Sequence, residues 1–382
     1  MAQYAHITGW GKSLPRKILT NFDLEKMVDT SDAWIQEHTG IRERRIAGPG
    51  EYVSTLSIAA GQQALGRAGM SPTELDLIIL ATSSPDYQMP GGATLIQAGL
   101  GATRAAAFDL RAGCSAFLYG LAVGSQFIAS GTYRNILVIG AEIVSMVMDW
   151  SDRRTCVLFG DGAGAVVLEA RDEPGGVLSF ALGADGTQHE ALYVPAGGCR
   201  YPLTPEVLEK GLYHIRMNGR QLLKFALHDP LQGVMKVIEA ARLSIADIDL
   251  VIPSQTNRRL IEAICKMIGI PLEKVFINVD RYANTSAASV PIALCEALEE
   301  GRARQGDNIA LMAYGAGLSW AAAVVHMGAM TETPISVAWP VLNRARNTLH
   351  RARIVVRSAS ATLAAHASAL LLPFFTTSHK ED

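Results

Sequence analysis

The sequence predicts an α/β fold built from two related halves. Short β-rich runs alternate with longer helical stretches along most of the chain, a pattern typical of α/β architecture. Two motifs also recur at one offset, because Asp76 and Asn135 are followed 173 residues later by Asp249 and Asn308 in similar apolar runs. We therefore expect a duplicated α/β unit whose halves are related by a pseudo-two-fold axis.

The individual elements follow from apolar spacing and from glycine and proline punctuation. The predicted strands are LDLIILATSS (75–84), RNILVIGAE (134–142), VLFGDGAGAVVLEA (157–170), IDLVIPSQT (248–256), VFINV (275–279) and NIALMAYGAG (308–317). The predicted helices are VSTLSIAAGQQALGRAG (53–69), CSAFLYGLAVGSQFIASG (114–131), LLKFALHDPLQGVMKVIEAAR (222–242), NRRLIEAICKMIG (257–269) and SVPIALCEALEEG (289–301).

Three segments organise the chain. We predict an N-terminal half over residues 1–172, a C-terminal half over 173–328, and an extension over 329–382 that does not follow the repeat. The extension has a basic stretch followed by an Ala/Leu-rich run too short for a convincing membrane span. Two interpretations of it stay open: a flexible or surface-packed appendage, and a basic helix that docks an acidic partner or a membrane surface.

The composition gives no support for several classes of function. The chain has 382 residues, 49% of them hydrophobic, which suffices for one large core or two domains. A net charge of −2 gives no indication of a nucleic-acid or acidic-membrane partner, and we expect no stable membrane insertion. The five cysteines match no metal-binding spacing, and no secretory leader is evident at the start. We expect reduced thiols in a cytoplasmic protein without a bound metal.

Cys114 is the residue that most suggests chemistry. It lies among small residues in RAGCSAFLYG, at the start of a predicted helix. The helix dipole there favours a thiolate, the nucleophilic form, although a buried inert cysteine is the alternative. Adding the repeat offset to Cys114 gives Ala287, within NTSAAS, so the two loops should face each other across the pseudo-axis. Ligand sites tend to form between such halves.

A glycine-rich stretch, GDGAGAVVLEA (160–170), could be mistaken for a phosphate-binding loop. No Lys-Ser/Thr pair follows it, and the next predicted element is a strand and not a helix. We interpret the stretch as a tight turn with close backbone packing.

Five longer stretches resemble the β-ketoacyl-acyl-carrier-protein synthase III family of the thiolase superfamily. They are TNFDLEKMVDTSDAWIQEHTGIRERRIA (20–47), AFDLRAGCSAFLYGL (107–121), FGDGAGAVVLEA (159–170), DRYANTSAASVPIALCEALEEG (280–301) and AYGAGLSWAAA (313–323). The resemblance implies the thiolase fold, a duplicated half with layered α-β-α-β-α architecture. It also implies a homodimer, an acyl carrier protein as donor, and no cofactor, because phosphopantetheine arrives on the carrier.

The resemblance also implies site residues. Cys114 matches the acyl-accepting nucleophile, and Asn284 matches the catalytic asparagine. The backbone N–H groups of Cys114 and Ala316 match an oxyanion hole, which stabilises the tetrahedral intermediate of thioester exchange.

Other matched positions concern binding. Trp34 and Arg153 match residues at the entrance of the pantetheine tunnel, and Asn257 matches one that orients the acceptor. Met89 matches a residue that reaches across the dimer into the partner's acyl pocket, where the family usually has phenylalanine. The more adaptable methionine permits an acyl group of a different shape. His38 departs from the family, which often has arginine there.

The departure with the largest consequence is Ser254, where the family usually has a catalytic histidine. A serine hydroxyl is a weaker donor and cannot carry the charge of an imidazolium. None of the nine histidines lies in the matched catalytic loops. We therefore count Ser254 with Cys114 and Asn284 as catalytic, and expect it to position the acceptor.

These residues predict a ping-pong acyltransferase. We expect an acyl group, for example an aromatic polyketide group, to pass from a carrier thioester to Cys114. A non-malonyl hydroxyl, amine or carrier thiol, from a small molecule or a carrier protein, would then accept it in secondary metabolism such as antibiotic biosynthesis. The alternatives are decarboxylative condensation, hydrolysis, and an inactive copy.

Overall fold

The computed structural model describes residues 3–329, and strands and helices alternate throughout that range. The strands are β1 Tyr4–Ser13, β2 Lys17–Thr20, β3 Glu43–Ile46, β4 Leu77–Ala81, β5 Ala106–Leu110, β6 Asn135–Glu142, β7 Gly162–Arg171, β8 Gly176–Ala184, β9 Leu192–Tyr193, β10 Arg216–Met217, β11 Leu250–Pro253, β12 Asn308–Gly315 and β13 Ser319–His326. The α-helices are α1 Asn21–Leu24, α2 Asp32–Thr39, α3 Val53–Ala68, α4 Gly92–Leu100, α5 Ala116–Ala129, α6 Pro205–Glu209, α7 Gly219–Ala226, α8 Asp229–Ala240, α9 Arg258–Met267, α10 Val279–Tyr282 and α11 Ser289–Glu299. The extension predicted from residue 329 lies, from residue 330 onward, outside the described residues.

Two main sheets have the same internal order. The first runs β1-β7-β6-β4-β5, and the second runs β8-β13-β12-β11 when read from the matching edge. In each sheet one pair of neighbours is parallel (β4 with β6, β11 with β12) and the next pair is antiparallel (β6 with β7, β12 with β13). The duplication predicted from the sequence is therefore visible strand by strand.

The repeated Asp and Asn residues make equivalent hydrogen bonds. Asn135 N donates to Asp76 Oδ2 at 3.0 Å, and Asn308 N donates to Asp249 Oδ2 at 2.8 Å. The Nδ2 groups of Asn135 and Asn308 each donate, at 3.0 Å, to the backbone carbonyl two residues before the respective aspartate. Each pair fixes the start of a parallel strand pair, because it satisfies backbone groups where the ladder begins.

Helices cover both sheets and fill the space between them. Helices α3 and α4 bury Leu56, Leu65 and Ile96 against the first sheet, and α8 and α9 bury Val234 and Ile264 against the second. Helices α5 and α11 lie in the middle, where Phe117 and Leu294 belong to one core with strands of both sheets. The result is a five-layer α-β-α-β-α arrangement.

The structure corrects two predicted elements. VFINV is not a strand: Val275 forms a single bridge to Val251 and the chain then turns. The side chain of Gln255 replaces a neighbouring strand there, because its amide donates to Phe276 O at 3.2 Å and accepts from Asn278 N at 2.9 Å. The long helix predicted over 222–242 is two helices, α7 and α8, because Pro230 fits the first turn of α8 but has no N–H with which to continue α7.

The glycine-rich stretch 160–170 leads into strand β7, so no helix follows it. A phosphate-binding loop requires a helix N-terminus at that point. The expected close backbone packing is confirmed, because a Cβ at Gly160 would overlap Tyr282 O, but the expected turn is wrong, since most of the stretch is strand.

Candidate active site

Cys114 lies in a short 3-10 turn, Gly113–Ser115, between β5 and α5. Its side chain is 5% exposed. The turn packs directly on the loop after β12, and a Cβ at Gly315 would lie 2.8 Å from Cys114 Sγ. Gly113 has a φ of +53°, and a Cβ there would lie 2.7 Å from Ala316 O. Both contacts require glycine, since no side chain fits between the two loops.

Burial dominates the ionisation of the nucleophile. The surrounding apolar atoms raise the pKa of the Cys114 thiol to about 11, although hydrogen bonds from the Ser286 hydroxyl and two backbone N–H groups oppose the rise. The cysteine lies at the start of a helix, as expected, and its burial opposes the stabilisation that a helix N-terminus gives a thiolate. The resting residue is therefore a thiol, and its attack requires a proton acceptor.

The proposed oxyanion donors converge on the sulfur. The backbone N–H groups of Ala316 and of Cys114 itself both lower the pKa of the Cys114 thiol, which places them beside the sulfur. Donors that meet at the nucleophile are placed to hold the oxygen of a carbonyl attacked there. Their role as an oxyanion hole stays a prediction.

Two serine hydroxyls fasten the cysteine turn to the Ala316 loop. Ser319 Oγ lies 2.9 Å from the carbonyl oxygens of both Ala112 and Ala316, and 2.8 Å from Ser115 Oγ. These bonds set the spacing between the two backbone N–H donors. The sequence analysis missed Ser115 and Ser319 as supporting residues, although both lie within motifs that it identified.

Asn284 lies on a loop anchored to the first half of the molecule. Its backbone N donates to Leu158 O at 2.9 Å, and its backbone O accepts from Gly160 N at 3.1 Å. Its side-chain Oδ1 accepts from Ser286 N at 2.9 Å. Because Oδ1 is engaged, Nδ2 is the part of the amide that remains to donate to a substrate.

Ser254 follows β11 at the same end of the second sheet as Gly315 and Ala316. Its backbone N donates to Met312 O at 2.7 Å, and the residue is fully buried. Among residues 3–329, nothing hydrogen-bonds its Oγ. A buried hydroxyl without a partner carries a desolvation cost that a bound substrate oxygen would remove.

The predicted tunnel-entrance residues form one cluster. The Arg153 guanidinium lies 5.2 Å from the centroid of the Trp34 ring, and His38 stacks on Trp34 with ring centroids 4.5 Å apart. Asn257 caps α9 by accepting from Leu260 N, and its Nδ2 donates to His38 O at 2.8 Å. The structure thus brings these residues together, with Asn257 committed to contacts inside the protein.

Met89 is separate from this cluster. It is 87% exposed, in the loop between β4 and α4. Its side chain therefore does not enter the acyl site of its own chain, and its role across a dimer stays a prediction.

His214 and His228, two of the nine histidines, make contacts away from Ser254. His214 lies 3.8 Å from Asp149 Oδ2 and packs on Tyr213, and His228 pairs with Asp229. Within the described range 3–329, no cluster of three or more His, Cys, Asp or Glu could hold a metal ion. No helix in that range is long and apolar enough to cross a membrane.

Known proteins match this chain over most of its length. The model for 3-oxoacyl-[acyl-carrier-protein] synthase III matches residues 108–186, and the model for its C-terminal region matches residues 238–327. A β-ketoacyl-[acyl-carrier-protein] synthase III of Roseiflexus sp. is 56% identical over 85% of this chain and 99% of its own length. The synthase of Symbiobacterium thermophilum is 51% identical over 84% of this chain and 98% of its own length.

Solved structures give the same result. The synthase III of Aquifex aeolicus aligns with a TM-score of 0.78 and 46% identity, covering 84% of this chain and 99% of its own. The priming β-ketosynthase of the R1128 polyketide pathway aligns with a TM-score of 0.81 and 30% identity, covering 87% of this chain and 98% of its own. The thiolase fold predicted from the sequence is confirmed.

Proposed function

We propose a function for this chain from one premise: it belongs to the β-ketoacyl-[acyl-carrier-protein] synthase III family, whose enzymes acylate a cysteine. The proposed reaction is decarboxylative condensation, in which an acyl group on Cys114 is joined to a malonyl unit held on an acyl carrier protein. The observation that carries the proposal is the 56% identity, over nearly the whole length of a relative, to a protein with that name. It favours condensation over the non-malonyl acyl transfer expected from the sequence.

The acylation half-reaction is assigned to the Cys114 turn. The sulfur attacks the thioester carbonyl, the N–H groups of Cys114 and Ala316 stabilise the developing oxyanion, and the carrier thiol leaves. The bonds of Ser319 to both loops support this assignment, because they preorganise the two donors.

The condensing half-reaction is assigned to Asn284 and Ser254. Loss of carbon dioxide from the malonyl group leaves an enolate, whose carbon attacks the acyl group on Cys114. Asn284 Nδ2 and Ser254 Oγ would donate to the enolate oxygen, which gives the orphaned Ser254 hydroxyl a partner. Losing a donor at a developing oxyanion costs on the order of 10²- to 10³-fold in rate, which is the upper bound for exchanging an imidazole for a weaker hydroxyl donor.

A second function rests on the same serine. If Ser254 disables decarboxylation, the acyl group would pass to a hydroxyl, amine or carrier thiol. Placement in secondary metabolism draws support only from the R1128 neighbour, at 30% identity. For this reason it is the second candidate.

The remaining assignments concern binding and assembly. We propose that Trp34 and Arg153 receive the phosphopantetheine arm of a carrier protein, with Asn257 holding their cluster in place. A homodimer would bring the exposed Met89 to the partner's acyl pocket. We further propose that the two halves meet after residue 172, that the enzyme needs no cofactor of its own, and that it acts in the cytoplasm.

Product analysis tests the main function. Intact-protein mass spectrometry after mixing with aliphatic and aromatic acyl-carrier thioesters should show one acyl group, absent in Cys114→Ala. Adding malonyl-carrier protein should then discharge it with release of carbon dioxide and formation of a β-ketoacyl product. An acyl-enzyme that survives malonyl addition, and is discharged only by another nucleophile, would contradict condensation and support the second candidate.

Ser254→His sharpens this test. Restoring an imidazole donor should raise the condensation rate by about 100-fold while changing acylation little. The matched variant Ser254→Ala should lower condensation further. A Ser254→His enzyme that folds and is acylated, yet condenses no faster than the wild type, would show that the hydroxyl does not limit the reaction.

A further inference from the structure

The Cys114 thiol is connected through one hydroxyl to a buried carboxylate that no part of the proposed reaction uses. We propose that Glu142 accepts the proton of Cys114 through the Ser286 hydroxyl when the cysteine attacks the acyl donor. The inference rests on the proposed acylation of Cys114 and identifies a positioning residue for that step.

Glu142 is the last residue of β6 and is 2% exposed. Its Oε1 accepts from Ser83 N at 3.0 Å, and its Oε2 accepts from Ser84 Oγ at 2.6 Å. These donors replace part of the lost water around the carboxylate and fix its orientation. One direction around Oε1 remains, and Ser286 occupies it.

Ser286 links the carboxylate to the nucleophile. Its Oγ donates to Glu142 Oε1 at 3.3 Å, and the turn that Ser286 begins packs against the Cys114 turn, where the Ser286 hydroxyl lowers the pKa of the thiol. The Ser286 backbone is held at a φ of +53°, and its N donates to Asn284 Oδ1. The Oγ-to-Oε1 bond is thus in place, and a thiol proton passed to Oγ would complete a path for one proton from Cys114 to Glu142.

The charges around this path suit a proton acceptor that works near neutral pH. Burial raises the pKa of Glu142 to about 7, against the hydrogen bonds of Ser84 and Ser83 and the charge of Arg111. The charge of Glu142 in turn raises the pKa of Cys114, so that the proton rests on sulfur until attack begins. The phenol of Tyr314 faces Cys114 from β12, and burial keeps its pKa above its usual value, so it stays neutral.

The transfer balances within the reaction. Cys114 Sγ forms a bond to the thioester carbonyl carbon, its proton moves to Ser286 Oγ, and the Ser286 proton moves to Glu142. When the carbon–sulfur bond to the carrier breaks, the departing thiolate takes the proton back along the same hydroxyl. Glu142 ends as it began, and no other reactant is consumed.

The sequence leaves this task unassigned. Ser254 stands where the family has histidine, and a serine hydroxyl is not a base at neutral pH. A positioned proton acceptor contributes about 10²- to 10⁴-fold to such a step. Glu142, which accepts a hydrogen bond from Ser286 beside Cys114, can act as this proton acceptor.

The pH dependence of single-turnover acylation tests the relay. Glu142 must be ionised to accept the proton, so the wild-type rate should rise through about pH 7 and then level off. Glu142→Gln should lose this rise and be slower by about 100-fold at pH 8, with a rate that instead increases steadily toward the thiol pKa. Ser286→Gly removes the hydroxyl without straining a positive-φ backbone, and should give the same profile.

Two controls separate this role from a structural one. Glu142→Asp should restore the rise near neutrality at a lower rate. Asp161 is also a buried carboxylate, bonded to Ala47 N and Ser145 Oγ, so Asp161→Asn should keep the wild-type profile whatever its effect on stability. Thermal melting of each variant establishes that it is folded.

The outcomes distinguish the relay from the proposed function. Wild-type protein that no acyl thioester labels would overturn both. Labelled wild type, with Glu142→Gln and Ser286→Gly both showing the wild-type pH profile, would overturn only the relay.

Discussion

The cysteine turn of the first half and the NTSAAS loop of the second half occupy equivalent places but carry different chemistry. Gly113 and Ser286 are 173 residues apart and share a φ of +53°. The residues that follow them are Cys114, the candidate nucleophile, and Ala287, which packs in the central core. One backbone conformation thus serves as a nucleophile turn in one half and as a support in the other.

The strand ends opposite these turns differ in a complementary way. Gly315 ends β12 and leaves room for Cys114, whereas its equivalent in the first half, Glu142, ends β6 and reaches Ser286. The two halves thus share a backbone arrangement of a turn packed on a strand end. The candidate site depends on the side chains that differ between them. Three further predictions test this comparison, in order of expected effect.

Gly315→Ala should cause the largest loss. The new Cβ would lie 2.8 Å from Cys114 Sγ, so it displaces the nucleophile from its donors. A displacement of about 1 Å can cost on the order of 10²-fold, and we expect acylation to fall by at least that much. Gly66→Ala in α3, where a Cβ meets nothing within 4 Å, is the control and should leave acylation unchanged. Wild-type labelling rates in Gly315→Ala would refute the close packing of the two loops.

Ser319→Ala should have an intermediate effect. The substitution removes the hydroxyl that hydrogen-bonds the carbonyls of Ala112 and Ala316. These bonds connect the Cys114 turn to the loop after β12. We expect acylation to fall about 10-fold and the free energy of unfolding to fall by about 1–2 kcal/mol. Denaturant unfolding and intact-mass kinetics measure the two quantities. Ser130→Ala, which removes an exposed hydroxyl at the end of α5, should change neither.

Asp76→Ala and Asp249→Ala should have the smallest effect on activity. Each removes the carboxylate that fixes the start of a parallel strand pair, Asp76 through two backbone N–H groups and Asp249 through Asn308 N. We expect each variant to lose about 1–3 kcal/mol in the free energy of unfolding, with Asp76→Ala losing more, and acylation to change less than threefold. A large loss of acylation in only one of them would mean that the two aspartates are not structurally equivalent.

The sequence predicted the parts of the molecule that depend on local pattern and repetition. Asp76 and Asp249 revealed the duplication because strand starts need the same hydrogen bonds in both halves. Cys114 was found from its small neighbours and its place before a helix. The strand predicted at VFINV was wrong because a single side chain, that of Gln255, takes the backbone bonds that a strand would have made.

The supporting residues of the site were harder to predict. Glu142 ends an ordinary buried strand, and nothing in its neighbours marks it as anything but the last residue of RNILVIGAE. Its connection to Cys114 depends on Ser286, which comes from the other half of the chain. The repeat offset did point to the adjacent Ala287, so the serine was within reach of sequence reasoning, whereas the hydrogen bond to Glu142 was not.

The backbone bonds that hold Asn284 to Leu158 and Gly160 have a consequence for how such a protein can be divided. The loop that carries the second half's amide is secured by carbonyl and N–H groups of the first half. A chain cut in the turn between β7 and β8 would yield two fragments, each lacking half of the donor set. Neither fragment would hold both the nucleophile and the amide donor, so we expect the two halves to be active only when they assemble with each other.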